Sequence, residues 1–420
     1  MLRMSFSVLA IVAVTSSCFG EEWPSWRGSD RTGVAKETGL LKTWPKDGPP
    51  LAWKSEGLGH GYASVVISGG KVFTQGDKGK DHCLIAVNLD NHKIAWTTKI
   101  CQNFSDGSRS TPTVDGEHVY ALSPHGDLIC ATTAEGKIVW LKHLPKDFGG
   151  HMMSGWGYSE SVLIDGDKLI CTPGGDNAAV IALNKESGEL IWKAAVPQGG
   201  GAGYASPVIA EVGGIRQYVT LLGKSGGAVG ISAKDGKLLW RNNKFANGTA
   251  NIPTPVVKDD LVFYSTGYDD GGSALLRLVP DGDGVKAEEV YGKPARDLQN
   301  HHGGVILIGD HLYGGHGNNH GFPFCIDFKT GKESWGKNRG PGTGSAAVVY
   351  ADGHLYFRYD NAVMALIEAT PEKCTIKSSF KIPQGSTPSW AHPVVFNGKL
   401  YLRDQDRLLC YDVKDASARK

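Results

Sequence analysis

Apolar runs of strand length, separated by short turn signals, organise most of this chain. Asp115-Gly116, for example, stands between Thr113-Val114 and Val119-Tyr120. An Asp-Gly pair between apolar runs favours a tight hairpin, because its central residues must adopt positive φ. Comparable turns recur at Gly69-Gly70, Asp165-Gly166, Gly213-Gly214, Asp259-Asp260, Gly309-Asp310, Asp352-Gly353 and Asn397-Gly398.

A second signal, a turn glycine followed four residues later by Trp, marks the end of a repeat unit. It is found at Gly136 to Trp140, and Trp96 keeps the spacing although His92 replaces the glycine. Two degenerate units end near Tyr291 and Phe380. The Trp residues that we expect to dock between neighbouring units are Trp53, Trp96, Trp140, Trp192, Trp240 and Trp335.

The repeat has a period in the mid-forties with about four strands, which is typical of a propeller blade. The last unit, Trp390 to Asp412, lacks a fourth strand, whereas Trp53 stands before the first hairpin. We therefore predict an all-β, eight-bladed β-propeller of four-stranded repeats. Residues 51–54 would supply the missing outer strand and close the ring. Residues 21–420 would form this single domain, with 21–50 as an N-terminal strap.

The first twenty residues resemble a secretory signal peptide. Arg3 precedes an apolar run from Phe6 to Val14, and small residues lead to Gly20, where cleavage is expected. Lipid anchoring at Cys18 is the alternative, although no apolar residue opens a lipobox. No later apolar run is long enough for a transmembrane helix, so we expect an exported protein, periplasmic or extracellular.

Charge and cysteine content exclude several classes. Loss of Arg3 with the signal would leave 43 of the 44 basic residues against 43 acidic ones, which favours neither nucleic acid nor anionic membrane. Cys130, Cys325 and Cys410 fall on the third strands of their repeats, where small buried residues are expected. The chain contains no CxxC or haem-attachment motif.

The repeat Asn184-Lys185-Glu186-Ser187-Gly188 followed by Trp192 resembles the pyrroloquinoline-quinone-like (PQQ-like) repeat. Such repeats build the eight-bladed propellers of quinoprotein alcohol dehydrogenases and of the lipoprotein that assists outer-membrane β-barrel assembly. The resemblance implies the fold, and it implies that the Trp docks between blades. It also raises the possibility of PQQ bound with calcium. However, the quinone enzymes typically carry two adjacent cysteines beside the cofactor, and this chain has no such pair, so no cofactor is expected.

A binding site in a propeller is expected where the loops entering each inner strand converge on one mouth of the channel. These loops are rich in polar and aromatic residues that either satisfy one another around a water-filled channel or bind a ligand. Arg109 would then bind an anionic group, and Trp or Tyr would stack on a ring. The candidates are His60, Tyr62, Arg109, Trp156, Tyr158, Glu160, Tyr204, Asn251, His301, His302, Trp390 and His392.

Two other segments are weaker candidates. Trp26 and Arg27 belong to a strap that we expect to pack its Trp rings across the propeller surface, with contact to a ligand as the alternative. His316 and His320 lie in a Gly-rich loop between second and third strands and are a possible metal pair. We expect that loop on the face opposite His301.

Two hypotheses follow. The first is an exported, non-catalytic binding or scaffold propeller for a protein, glycan or small ligand, such as part of an envelope complex. The second is a PQQ-dependent quinoprotein dehydrogenase, the only enzyme class indicated.

Overall fold

The computed structural model describes residues 22–268, 270–336 and 338–418. The predicted signal peptide and the alternative lipid site at Cys18 therefore lie outside the described residues. Among these residues the helices are α1 (Leu144–Phe148) and a 3-10 turn at Ala416–Ala418. No helix in the described ranges is long and apolar enough to cross a membrane.

Eight sheets are arranged as consecutive blades, which confirms the predicted all-β propeller. Two short N-terminal strands, β1 (Val34–Ala35) and β2 (Leu51–Glu56), precede the first blade. The strands of blades one to four are β3 (Val66–Ser68), β4 (Lys71–Lys78), β5 (Asp81–Asn88), β6 (Ile94–Gln102); β7 (Thr113–Asp115), β8 (His118–Leu122), β9 (Asp127–Thr132), β10 (Ile138–His143); β11 (Leu163–Asp165), β12 (Lys168–Cys171), β13 (Val180–Asn184), β14 (Leu190–Ala194); and β15 (Val208–Val212), β16 (Ile215–Leu221), β17 (Ala228–Ser232), β18 (Leu238–Asn242).

The second half of the chain continues the pattern. Blade six has three regular strands, and the segment after them keeps the fourth position through backbone bonds such as Ser334 N–H to the Cys325 carbonyl. The strands of blades five to eight are β19 (Val256–Lys258), β20 (Leu261–Thr266), β21 (Gly272–Asp281), β22 (Gly284–Pro294); β23 (Val305–Ile308), β24 (His311–His316), β25 (Phe322–Asp327); β26 (Ala346–Ala351), β27 (His354–Tyr359), β28 (Val363–Glu368), β29 (Ile376–Lys381); and β30 (Val394–Phe396), β31 (Lys399–Asp404), β32 (Arg407–Asp412).

The ring closes as predicted. Strand β2 pairs antiparallel with β32, with Trp53 opposite Cys410 and Lys54 opposite Leu409. The Trp53 ring stacks on His92 of blade one at 4.5 Å between centroids. The first and last blades are therefore joined by main-chain bonds and by an aromatic contact.

Neighbouring blades interlock through the two parts of the repeat signature. The Trp140 indole of blade two donates to the Lys185 carbonyl of blade three at 2.9 Å. A Cβ added to Gly188 in that same turn would lie 2.8 Å from the Trp140 ring. Trp96, Trp192 and Trp335 likewise donate to carbonyls of the following blade. Trp240 differs, because it donates to Gln217 of its own blade.

The strap, residues 22–50, enters the central channel, so the expectation that its Trp rings pack across the surface is wrong. Its irregular backbone finds hydrogen-bond partners at the inner strands, which explains why it runs there. Strand β1 pairs in parallel with β26. Bonds between the strap and seven of the eight blades are present among the described residues. The strap residues that make them, for blades one, two, three, five, six, seven and eight in turn, are Trp23, Pro24, Arg31, Trp26, Arg27, Val34 and Glu37.

Candidate functional site

A cavity of about 290 Å³ occupies the mouth of the channel where the inner strands begin. Loops into the inner strands form its walls and the strap forms its floor. The lining residues are Trp26, Arg27, Tyr62, Arg109, Trp156, Ser159, Ser161, Tyr204, Ser206, Ala250, Ile252, Pro253, Thr254, Tyr268, His301, His302, Gly304, Asn319, Trp390 and His392.

The structure brings most of the predicted funnel residues together. Those that line the cavity are Tyr62, Arg109, Trp156, Tyr204, His301, His302, Trp390 and His392.

Four predicted funnel residues do not line it, and two of these are aromatic. His60 is exposed and packs edge-on against the Tyr62 ring, with 5.8 Å between centroids. Tyr158 is buried in the core between blades two and three, where its hydroxyl donates to the Pro173 carbonyl. Both belong to the funnel loops, but their side chains turn away from the channel.

The other two, Glu160 and Asn251, are fully buried and serve the backbone. Glu160 accepts from the Thr172 N–H at 2.6 Å, and burial raises the pKa of its carboxyl although Arg31 opposes the shift. Asn251 donates to the Leu222 carbonyl at 2.8 Å. Buried main-chain groups at strand ends need partners, and these two side chains supply them instead of facing a ligand.

Arg109 is the cation at the cavity wall, and its charge is already compensated. Its guanidinium pairs with the Asp106 carboxylate and donates to the Trp156 carbonyl at 3.2 Å. It lies over the Tyr62 ring at 5.5 Å and the Trp390 ring at 5.7 Å, within cation–π range. Arg109 therefore holds two aromatic walls together.

The three histidines of the cavity are neutral at pH 7. Burial lowers the pKa of His301 to about 4, that of His392 to about 3, and that of His302 well below its usual value. His301 bonds to the hydroxyls of Ser345 and Tyr268, and His392 Nε2 donates to the His302 carbonyl at 3.2 Å. Neutral imidazoles in these positions orient polar groups without adding charge.

The strap contributes Trp26 and Arg27 to the floor, as the alternative interpretation of these residues required. The Trp26 indole donates to the Thr254 hydroxyl at 3.0 Å and packs on His392, with 4.5 Å between centroids. Arg27 donates to the Val305 carbonyl. Contacts with blades five, six and eight thus hold these two side chains in place.

A belt of hydroxyls, which sequence reasoning missed, surrounds the floor. The Ser64 N–H donates to the Thr111 hydroxyl, the Thr111 N–H to Ser161, and the Ser161 N–H to Ser206, at 2.9–3.0 Å. Each hydroxyl stands two residues before its inner strand. This spacing was visible in the sequence at Ser64, Thr111, Ser161, Ser206 and Thr254.

The loop containing His316 and His320 lies on the cavity side, so its predicted place on the opposite face is wrong. The inner strand of a blade begins at the funnel face, and the second strand runs antiparallel to it and so ends at that face. The loop between the second and third strands therefore lies on the same face of the propeller as the funnel loops. Asn319 lines the cavity, and His316 Nδ1 accepts from the Gln299 N–H at 3.3 Å. His320 stacks on Phe322, with 5.0 Å between centroids. No group of three or more His, Cys, Asp or Glu positioned to hold a metal occurs within the described ranges.

The donor set of the cavity does not fit PQQ with calcium. Calcium takes oxygen ligands, chiefly carboxylates, and the described residues that line the cavity include neither Asp nor Glu. The seven described cysteines are free thiols.

Comparison with known proteins agrees with the architecture. The model of a family described as outer membrane protein assembly factor BamB matches residues 80–337. BamB of Yersinia pestis is 26% identical over 240 residues, covering 52% of this chain and 55% of the relative. BamB of Alkalilimnicola ehrlichii is 25% identical over 228 residues, covering 53% and 52%. The chain thus spans about half the length of the curated relatives it matches.

Solved structures share the fold at low sequence identity. BamB from Moraxella catarrhalis superposes with a TM-score of 0.61 at 14% identity, covering 87% of this chain and 97% of that chain. Quinohemoprotein alcohol dehydrogenase from Comamonas testosteroni gives 0.62 at 13% identity, covering 94% and 81%. At these identities the likeness concerns the fold alone, whereas the family match extends over more than half of the chain. The chain therefore belongs to the family described as outer membrane protein assembly factor BamB.

Proposed function

We propose that this protein is an exported, non-catalytic propeller that binds a ligand or partner group in the cavity at the mouth of its channel. One observation carries the proposal: aromatic rings and neutral imidazoles from several blades converge on one cavity. The turns of the repeats do not require aromatic or imidazole side chains at these positions. The walls include Tyr62, Tyr204 and Trp390. Concave, largely apolar pockets with a few convergent polar groups are typical of ligand sites.

The family supports a place for this chain in an envelope assembly. Its relatives carry the name outer membrane protein assembly factor, which supports a scaffold role rather than a catalytic one. In such a role the propeller contributes a rigid ring, and the cavity recognises one component.

The test of binding is co-isolation. Tagged wild-type protein, Trp390→Ala and the exposed outer-strand control Leu190→Ala are purified side by side, and the bound components are compared by mass spectrometry. We expect wild type and Leu190→Ala to retain a component for which Trp390→Ala has at least about tenfold lower affinity. A tenfold loss corresponds to the free energy of one aromatic contact together with the apolar area that it buries. Equal retention by all three proteins would contradict binding in the cavity.

The competing dehydrogenase function predicts a different result. Purified protein is titrated with PQQ and calcium, and alcohol-dependent reduction of a dye is followed. Because none of the carboxylates in the described part of the chain lines the cavity, we expect no stoichiometric uptake and no dye reduction. Stoichiometric uptake with alcohol-dependent turnover would overturn the non-catalytic proposal.

A further inference from the structure

Arg27, on the strap at the cavity floor, is a buried cation that is anchored from behind. Arg27 is only 6% exposed, and it lines the cavity. The guanidinium donates to the carbonyls of Thr32, at 2.9 Å, and Val305. These two carbonyls fix the orientation of the group but leave its charge uncompensated.

No carboxylate of the described chain pairs with Arg27. Burial lowers its pKa to about 10, so it remains protonated at neutral pH. Its Nε has no hydrogen-bond partner within residues 22–268, 270–336 and 338–418. A buried ion without a counter-ion is costly, and an anion from outside the chain would remove that cost.

The other two arginines of this region differ from Arg27 in this respect. Arg109 pairs with Asp106. Arg31, equally buried on the same strap, has Glu160 near enough to oppose its pKa shift, and it does not line the cavity. Arg27 is thus the cation that faces the cavity without a carboxylate among the described residues.

The floor around Arg27 is rich in hydrogen-bond donors. The hydroxyl oxygens of Ser161, Ser206 and Thr254 each accept from a protein N–H. A hydroxyl whose oxygen accepts keeps its hydrogen available to donate. Within residues 22–268, 270–336 and 338–418, no Asp or Glu lines the cavity.

Above the floor the walls are aromatic. The rings of Tyr62 and Trp390 lie 4.6 Å apart, and those of Trp156 and Tyr204 lie 6.1 Å apart in an edge-on arrangement. A volume of about 290 Å³ is at the small end for ligand pockets. The space suits one ring with a short substituent.

We infer that the cavity takes a small organic acid carrying a single ring, with its carboxylate on Arg27 and its ring packed against the wall that Tyr62 and Trp390 form. This inference rests on the proposed function, since it names the ligand class of the same cavity. Binding replaces the missing counter-ion of the floor and covers the aromatic walls.

The test compares two probes that differ in charge but hardly in shape, benzoate and benzamide, by calorimetric titration of the wild-type protein. We expect benzoate to bind at least about tenfold more tightly, the size of a hydrogen bond to a charged group. Equal affinities, or no benzoate binding at millimolar concentration, would overturn the inference. Inorganic phosphate is the third probe, and binding as tight as that of benzoate would refute a contribution from the ring.

Two variants test whether Arg27 is the cation that binds the carboxylate. Arg27→Gln should lose at least tenfold in benzoate affinity and little in benzamide affinity, whereas the matched strap variant Arg31→Gln should keep both. If Arg27→Gln does not fold, Arg27→Lys retains the charge and should bind benzoate, while the wild-type comparison stands without any variant. Retention of a copurified component that depends on Trp390, together with indifference to benzoate, would refute the ligand class and leave the proposed function intact.

Discussion

Gly188→Ala tests whether the repeat signature stabilises the propeller by interlocking blades. Gly188 has φ of 70° and lies in the turn whose Lys185 carbonyl accepts the Trp140 indole N–H. An added Cβ would stand 2.8 Å from the Trp140 ring, a separation that real Cβ atoms do not show. Either the indole or the turn must move, and the interblade hydrogen bond is strained in both cases.

The expected decrease in the free energy of unfolding of Gly188→Ala has two parts. A non-glycine residue at left-handed φ costs about 1–2 kcal/mol, and overpacking a tight contact costs about 1–3 kcal/mol. The matched control is Gly166→Ala in the same blade, where φ is 62° and nothing lies within 4 Å of the added Cβ. The control carries only the backbone part, so the difference between the variants isolates the contact at about 1–3 kcal/mol.

The measurement is urea-induced unfolding of wild type, Gly188→Ala and Gly166→Ala, followed by tryptophan fluorescence. We expect the free energy of unfolding to fall for both variants and to fall further for Gly188→Ala. Equal losses would show that the glycine is present only for its backbone conformation, and the interlock argument would be wrong.

Three further predictions concern the cavity, the pH dependence of fold stability and the closure of the ring. Trp390→Ala should weaken binding in the cavity by at least about tenfold while the melting temperature changes little, and unfolding of the variant would instead make Trp390 architectural. Asp360 lies in the loop between β27 and β28, and burial raises the pKa of its carboxyl from 3.8 to about 6. The folded state therefore loses stability as pH rises from about 4 to about 6, and the loss is complete above pH 6. Relative to wild type, Asp360→Asn should therefore gain up to about 3 kcal/mol above pH 6 and nothing near pH 4, whereas a pH-independent difference in urea midpoint would contradict this. Trp53→Ala should cost about 2–4 kcal/mol in urea unfolding, and a cost no larger than that of the exposed Leu51→Ala would contradict its role in closure.

The ring could be predicted from sequence because its signals are local. Each hairpin turn and each terminal Trp lies within one repeat, and the absence of a fourth strand after Tyr411 required a donor elsewhere. Trp53 is the remaining marker, so residues 51–54 are predicted to pair with the last blade, and the structure places Trp53 opposite Cys410. Repetition turned weak local signals into a global prediction.

The omission of Tyr268 and Asn319 and the misplacement of His316 share one topological cause. Only loops that enter inner strands were assigned to the funnel, although loops between second and third strands reach the same face. Tyr268 lies on such a loop in blade five and Asn319 on another in blade six. His316 was placed on the wrong face for the same reason.

The strap could not be predicted, because its contacts are distant in sequence and its residues follow no period. The Arg27 guanidinium meets the carbonyl of Val305, and Trp26 meets the hydroxyl of Thr254. Glu160 and Asn251 illustrate the converse, since a polar side chain beside a strand end serves whichever group is left without a partner. Whether such a side chain bonds to the main chain or faces the channel is determined only by the folded ring.

One continuous segment supplies both the cavity floor and the closing strand, which couples ligand binding to the stability of the ring. Arg27 is followed by β1 and then by β2, whose pairing with β32 completes blade eight. A ligand held by Arg27 in the native state raises the free energy of unfolding by RT ln(1 + [L]/Kd), about 2.7 kcal/mol at a hundredfold excess over Kd. Benzoate should therefore raise the melting temperature of wild type and of Arg31→Gln clearly more than that of Arg27→Gln, since a tenfold weaker Kd lowers the stabilisation to about 1.4 kcal/mol at the same benzoate concentration. An equal rise in all three proteins would place the bound acid away from the strap.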